Sequence, residues 1–146
     1  MNIMVAFDFS DVSAAVLKAA EKHARLRDAN LWLIHVAEPE PQFVGYKAGP
    51  PNVRHDIANH FQQEHKELHL QAEALRKAGI TVTPLLVQGP TAATLLKEAD
   101  RLQADMIIVG SHGHGAVHHL LVGSVTADVL KKARCPVLVV PTHNRQ

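Results

Sequence analysis

The chain has 146 residues, 47% of them hydrophobic and 20% charged, which fits one domain (1–146) that can bury a core without disulfides or metals. Its net charge is +1 with histidine neutral, and its Lys and Arg are scattered, so nothing points to nucleic acid or an anionic membrane as a partner. The lone Cys135 excludes an intrachain disulfide framework, Asp8 falls too early for a signal-peptide core, and no apolar run approaches the ~20 residues of a membrane helix, so the cytoplasm is the expected location.

Residues 3–7 (IMVAF) form an apolar run that reads as a strand buried on both faces. Ser10 or Asp11 can cap the helix that follows, whose inner face holds Ser13, Val16, Leu17, Ala20 and Ala24. Asn30 breaks the helical pattern, and residues 31–37 (LWLIHVA) give a second strand. Pro39, Pro41, Gly45, Gly49, Pro50 and Pro51 then mark a long loop carrying Phe43 and Tyr46, either a solvated connection or a lid.

Helical periodicity returns over 52–78, with Val53, Ile57, Phe61, Leu68, Ala72 and Leu75 on one stripe and Gly79 placed as a C-terminal cap. Residues 80–87 form a third strand, which Pro84 confines to a sheet edge or a bulge. Pro90 opens a helix containing Leu95, Leu96, Ala99 and Leu102; residues 105–109 (DMIIV) form a fourth strand. A glycine-rich stretch, a helix over about residues 120–133 and a fifth strand over 136–140 (PVLVV) complete the order. Strands alternating with helices imply a parallel sheet covered on both faces, with ligands beyond the carboxyl ends of the strands where strand order reverses. The ends of strands one and four, near Asp8 and Gly110, therefore belong together.

The segment from Gly110 to Thr126 carries the chemistry. Gly110 lets the chain turn as it leaves the sheet, and Gly113 and Gly115 permit positive φ, so backbone N–H groups can close around an anion. Gly123 and Ser124 stand near a helix start, where unpaired N–H groups and the helix dipole favour phosphate, and the Ser124 and Thr126 hydroxyls can add hydrogen bonds. The P-loop pattern is absent, and the dinucleotide pattern fails because position 118 is histidine.

Gly110-x-x-Gly113, nine residues, then Gly123-Ser124 resembles the nucleotide motif of the universal stress protein family. The opening IMVAFDFS, the second-strand LIHVAE and the closing ARCPVLVVP match the same family. The resemblance implies an α/β fold, an open five-stranded parallel sheet in the order 3-2-1-4-5 with helices on both faces, of the adenine nucleotide alpha hydrolase-like kind. It implies binding of ATP, or of AMP or ADP, with any Mg²⁺ or Mn²⁺ held through the phosphates. Asp8, with Phe7 beside it, would meet the ribose or adenine region and Val36 the base. Gly110, Gly113, Gly123 and Ser124 would hold ribose and phosphates, with Ser111, His112, His114, Val125 and Thr126 around them. It also implies a homodimer through the last strand, Val137 to Val140, an apolar edge otherwise exposed.

Family members often carry Arg or Lys after Gly113, where this chain has His114, His118 and His119. Histidine neutralises phosphate mainly under mild acid, so nucleotide affinity is expected to rise as pH falls from about 7.5 to about 6. His65 and His69 lie one helical turn apart, but no ligand cysteine and no HExxH accompany them; they are read as surface or partly buried side chains, and no metal site is assigned. Cys135 is read as a small buried hydrophobe. No catalytic residue is assigned. The functional expectation is a nucleotide-binding stress-response sensor or regulator, against two alternatives, a weak ATP hydrolase and a nucleotide-independent interaction module.

Overall fold

The computed structural model describes residues 1–37, 51–112 and 122–142. Among these residues nine elements follow one another: β1 (Asn2–Ala6), α1 (Ser13–Arg27), β2 (Asn30–Ala37), α2 (Pro51–Lys77), β3 (Val82–Gln88), α3 (Thr91–Arg101), β4 (Met106–Gly110), α4 (Ser124–Lys132) and β5 (Val137–Val140). The five strands form one parallel sheet in the order β3-β2-β1-β4-β5, as expected. β1 is central: Ile3 stands opposite Leu31 of β2 on one side and Met106 of β4 on the other. Strand order reverses between β1 and β4.

Side chains alternate across the sheet, and the alternation sorts the core into two layers. Ile3, Val5, Leu31, Leu33 and Ile108 face α1 and α2, where Val16, Ala20, Leu68 and Ala72 meet them. Met4, Ile34, Val36, Ile107 and Val109 face α3 and α4 and pack on Leu95, Ala99 and Val129. Each large aliphatic side chain so buried contributes about 1.5–3 kcal/mol, which is why the central strands read as unbroken apolar runs.

The boundaries differ from the sequence reading where local backbone chemistry intervenes. α1 stops at Arg27 because Asp28 takes the left-handed conformation (φ 48°), and Asn30 already belongs to β2. Its N-cap position is Val12, with no side-chain cap bond; neither Ser10 nor Asp11 caps it. Gly79 does end α2, at φ 87°, with its N–H donating to Arg76 O and that of Ile80 to Leu75 O. Pro84 sits in β3, an edge strand, where a missing N–H is tolerated. α4 runs over Ser124–Lys132, with Gly123 as its N-cap. The loop with Phe43 and Tyr46, and the Val53 side chain, lie outside the described residues.

Candidate functional site

Asp8 follows β1 and organises the turn into α1. Its Oδ1 accepts from the Ser10 amide (3.1 Å), the Ser10 hydroxyl (2.6 Å) and the Ser13 hydroxyl (2.9 Å). The Ser10 hydroxyl, which could have capped the helix, is drawn onto the carboxylate instead. Phe9, the next residue, adopts φ 58°, a conformation that a bulky side chain rarely takes.

The end of β4 lies beside this turn. A Cβ on Gly110 would stand 3.0 Å from Thr142 Cγ2, 3.1 Å from His112 O and 3.3 Å from Val16 Cγ2 of α1. Close approach, and not a positive φ, favours glycine there. Ser111 continues the β5 ladder through its amide to Val140 O (2.8 Å). Its buried hydroxyl accepts from the Thr142 amide (3.0 Å) and lies 3.1 Å from Thr142 Oγ1. The Thr142 hydroxyl oxygen in turn accepts from the His112 amide at 3.2 Å.

The start of α4 is pinned to the same strand end. The Gly123 amide donates to Ser111 O (2.7 Å), and the Thr126 hydroxyl donates to Gly110 O (2.8 Å). No side-chain cap bond covers this helix start among the described residues. The first intrahelical bond runs from Ala127 to Gly123 O, so the amides of Ser124, Val125 and Thr126 have no acceptor within the helix. Ser124 and Val125 are exposed. Such a terminus accommodates an anion.

The fold thus brings Asp8, Gly110, Ser111, His112, Gly123, Ser124, Val125 and Thr126 to the carboxyl ends of β1 and β4. Val36, the residue before the last of β2, lies on the α3–α4 side. The Phe7 side chain points the other way, into the α1–α2 core, and its amide and carbonyl are bonded to Ile34 and His35 of β2. The Thr126 hydroxyl proton is engaged by Gly110 and serves to place α4. Gly113, His114, Gly115, His118 and His119 lie outside the described residues.

Several residues beside the site were not read from the sequence. His35 is buried (8% exposed) on the α2 side of β2, with Nδ1 2.7 Å from Phe7 O and Nε2 3.3 Å from Glu64 Oε1. His60 Nε2 approaches the same Glu64 oxygen at 3.1 Å. The ring of Phe9 packs edge-on against His35 (centroids 4.4 Å) and against Phe7 (4.8 Å). A histidine inside a strand buried on both faces was the available signal, because such a side chain requires partners. Ser13 and Thr142 gave no comparable signal. His65 and His69 are exposed with ring centroids 4.3 Å apart, and no group of three metal-ligating side chains occurs among the described residues. No helix among those residues is long and apolar enough to cross a membrane.

These elements define an open, doubly wound α/β domain whose strand order reverses between β1 and β4, the place where such folds take ligands. The universal stress protein family model matches residues 1–141, and the chain belongs to that family. The Thermus aquaticus universal stress protein in QAH/OAS sulfhydrylase 3'region is 32% identical over 140 residues, covering 95% of this chain and 97% of that one. The solved structure of MJ0577 from Methanocaldococcus jannaschii is similar with a TM-score of 0.82 at 29% identity, covering 99% of this chain and 97% of that one. A universal stress protein from Archaeoglobus fulgidus, solved in complex with dAMP, is similar with a TM-score of 0.66 at 25% identity, covering 96% and 97%.

Proposed function

We propose that this universal stress protein binds an adenine nucleotide, ATP or its di- or monophosphate, at the switch point and acts as a cytoplasmic stress-response sensor or regulator. The observation that carries the reading is the pairing of the Asp8 turn with an α4 N-terminus that has no side-chain cap bond among the described residues, held together at Gly110 and Ser111. The related dAMP complex supports the choice of nucleotide. Asp8 offers an acceptor to ribose or base, Val36 an apolar contact to the base, and the amides at Ser124 and Val125 donors to phosphate. A Mg²⁺ or Mn²⁺ ion would enter on the phosphate oxygens.

The half-buried edge strand Val137–Val140 supports a homodimer in which β5 meets a second copy. Nucleotide occupancy would act by binding one conformation or assembly more tightly than another. The decisive experiment is to denature the purified protein and identify released nucleotide by mass spectrometry, with calorimetry on the wild type and on Gly123→Val. An adenine nucleotide in the wild type and its loss in the variant are expected. Equal binding by both chains would remove the α4 terminus from the site. A phosphate-release assay on the wild type, His112→Ala and His114→Ala separates plain binding from hydrolysis.

A further inference from the structure

His35 joins the end of β1 to helix α2 on the face of the sheet opposite Val36, and hydrogen-bond bookkeeping restricts its state. The carbonyl of Phe7 can only accept, so the 2.7 Å contact requires a proton on Nδ1 of His35. The other ring nitrogen, Nε2, then carries a lone pair in the neutral imidazole. It faces Glu64 Oε1 at 3.3 Å, and an ionised carboxylate is likewise an acceptor only. The contact is a hydrogen bond when one further proton is present, on Nε2 or on Glu64. Exposed His60, 3.1 Å from the same oxygen, needs no such proton, because its neutral ring can carry the hydrogen on Nε2. Among the described residues, α2 turns Glu64 toward His35 with exposed His60 against the same carboxylate, β3 places apolar Leu86 opposite it, and the β1–α1 turn brings the Phe9 ring, with Asp8 next to Phe9 in the chain.

The same histidine supports a strained backbone. Phe9 is held at φ 58° with its ring wedged between Phe7 and His35. A bulky residue in that region persists only where its surroundings over-determine it. Phe7 and Phe9 flank Asp8, so what fixes both fixes the backbone from which the carboxylate projects.

We propose that His35 is a positioning residue for the nucleotide site, and that its proton-dependent bond to Glu64 latches α2 to the Phe7–Phe9 segment and so holds Asp8 in its binding position. The latch rests on the reading of Asp8 as a nucleotide contact. Glu64→Gln removes the proton requirement, because the side-chain amide it introduces can donate to the Nε2 lone pair. Glu64→Leu removes the partner altogether.

The probe is adenosine, which has no phosphate and so reads the Asp8 end of the site alone. In the full chain, at one fixed pH, Glu64→Leu should bind adenosine on the order of fivefold more weakly than Glu64→Gln. The ligand-free protein gives a second reading by NMR: the Asp8 and Phe9 amide signals move in Glu64→Leu but stay in place in Glu64→Gln. Equal adenosine affinity in the two variants overturns the latch and leaves the nucleotide reading standing. Amide signals that move in Glu64→Leu alone, in a protein that binds no adenine nucleotide, sink the nucleotide reading and keep the latch.

Discussion

The hydroxyl of Thr126, in the first turn of α4, donates to the carbonyl of Gly110, the last residue of β4, at 2.8 Å. Thr126 is buried, so this bond sets where the helix start stands relative to the strand end. Thr126→Val keeps the shape and removes the donor. It should cost about 1–3 kcal/mol, the usual result of leaving a buried acceptor unmet. Urea unfolding measures it; an unchanged midpoint would mean that water or another donor satisfies Gly110.

Gly110 and Gly123 stand at the same strand end for different reasons, and alanine separates them. At Gly110 the added Cβ meets a backbone oxygen at 3.1 Å and two side chains at 3.0 and 3.3 Å, so Gly110→Ala should lose about 1–3 kcal/mol by overpacking. At Gly123 the nearest atoms are 3.5 and 3.7 Å away and φ is −68°, which any residue adopts. Gly123→Ala should therefore stay within about 0.5 kcal/mol of the wild type. Thermal melts of both variants test the contrast. Comparable losses would show that the α4 start is as tightly packed as the strand end.

The sheet was legible because its strands are buried on both faces: runs such as IMVAF and DMIIV admit few other readings, and Pro84 marked an edge. Helix ends were less legible. Ser10 looked like a cap, but Asp8 draws its hydroxyl away, and a left-handed Asp28 stops α1 before Asn30. At the site, the glycines and Asp8 stood out by spacing. The roles of Ser111 and Thr126 did not, because their hydroxyls answer to partners far along the chain, Thr142 and Gly110. His35 was visible as a polar residue in an apolar strand, but its partner on α2 depends on packing that no local pattern encodes.

Ser13 is the test of how much the Asp8 turn matters for binding. It is buried, and its hydroxyl donates to Asp8 Oδ1 beside the amide and hydroxyl of Ser10. Ser13→Ala removes one bond to a charged acceptor, worth about 1.5–3 kcal/mol, while leaving the carboxylate in place. Unfolding free energy should fall by that order, and nucleotide affinity should fall with it, because Asp8 gains freedom that binding must then remove. Calorimetry beside chemical denaturation reads both. A stability loss with unaltered affinity would separate the turn from the nucleotide.

Cys135 was read as a buried hydrophobe, yet it is only partly buried, between the end of α4 and the start of β5. Its thiol pKa lies above the ordinary value, first because burial disfavours the thiolate, then because Asp100 and Asp105 repel it. The nucleophile is the thiolate, so alkylation by iodoacetamide at about pH 8 should run slower than for free cysteine. The sign for stability follows from the same shift. The folded chain holds the thiol proton more tightly than the unfolded one, a contribution present below the unfolded value and lost as pH rises through the raised folded value. Stability should therefore decline more steeply above about pH 9 in the wild type than in Cys135→Ala. Alkylation at or above the rate of free cysteine would place an electropositive group beside Cys135, against the two carboxylates that flank it here.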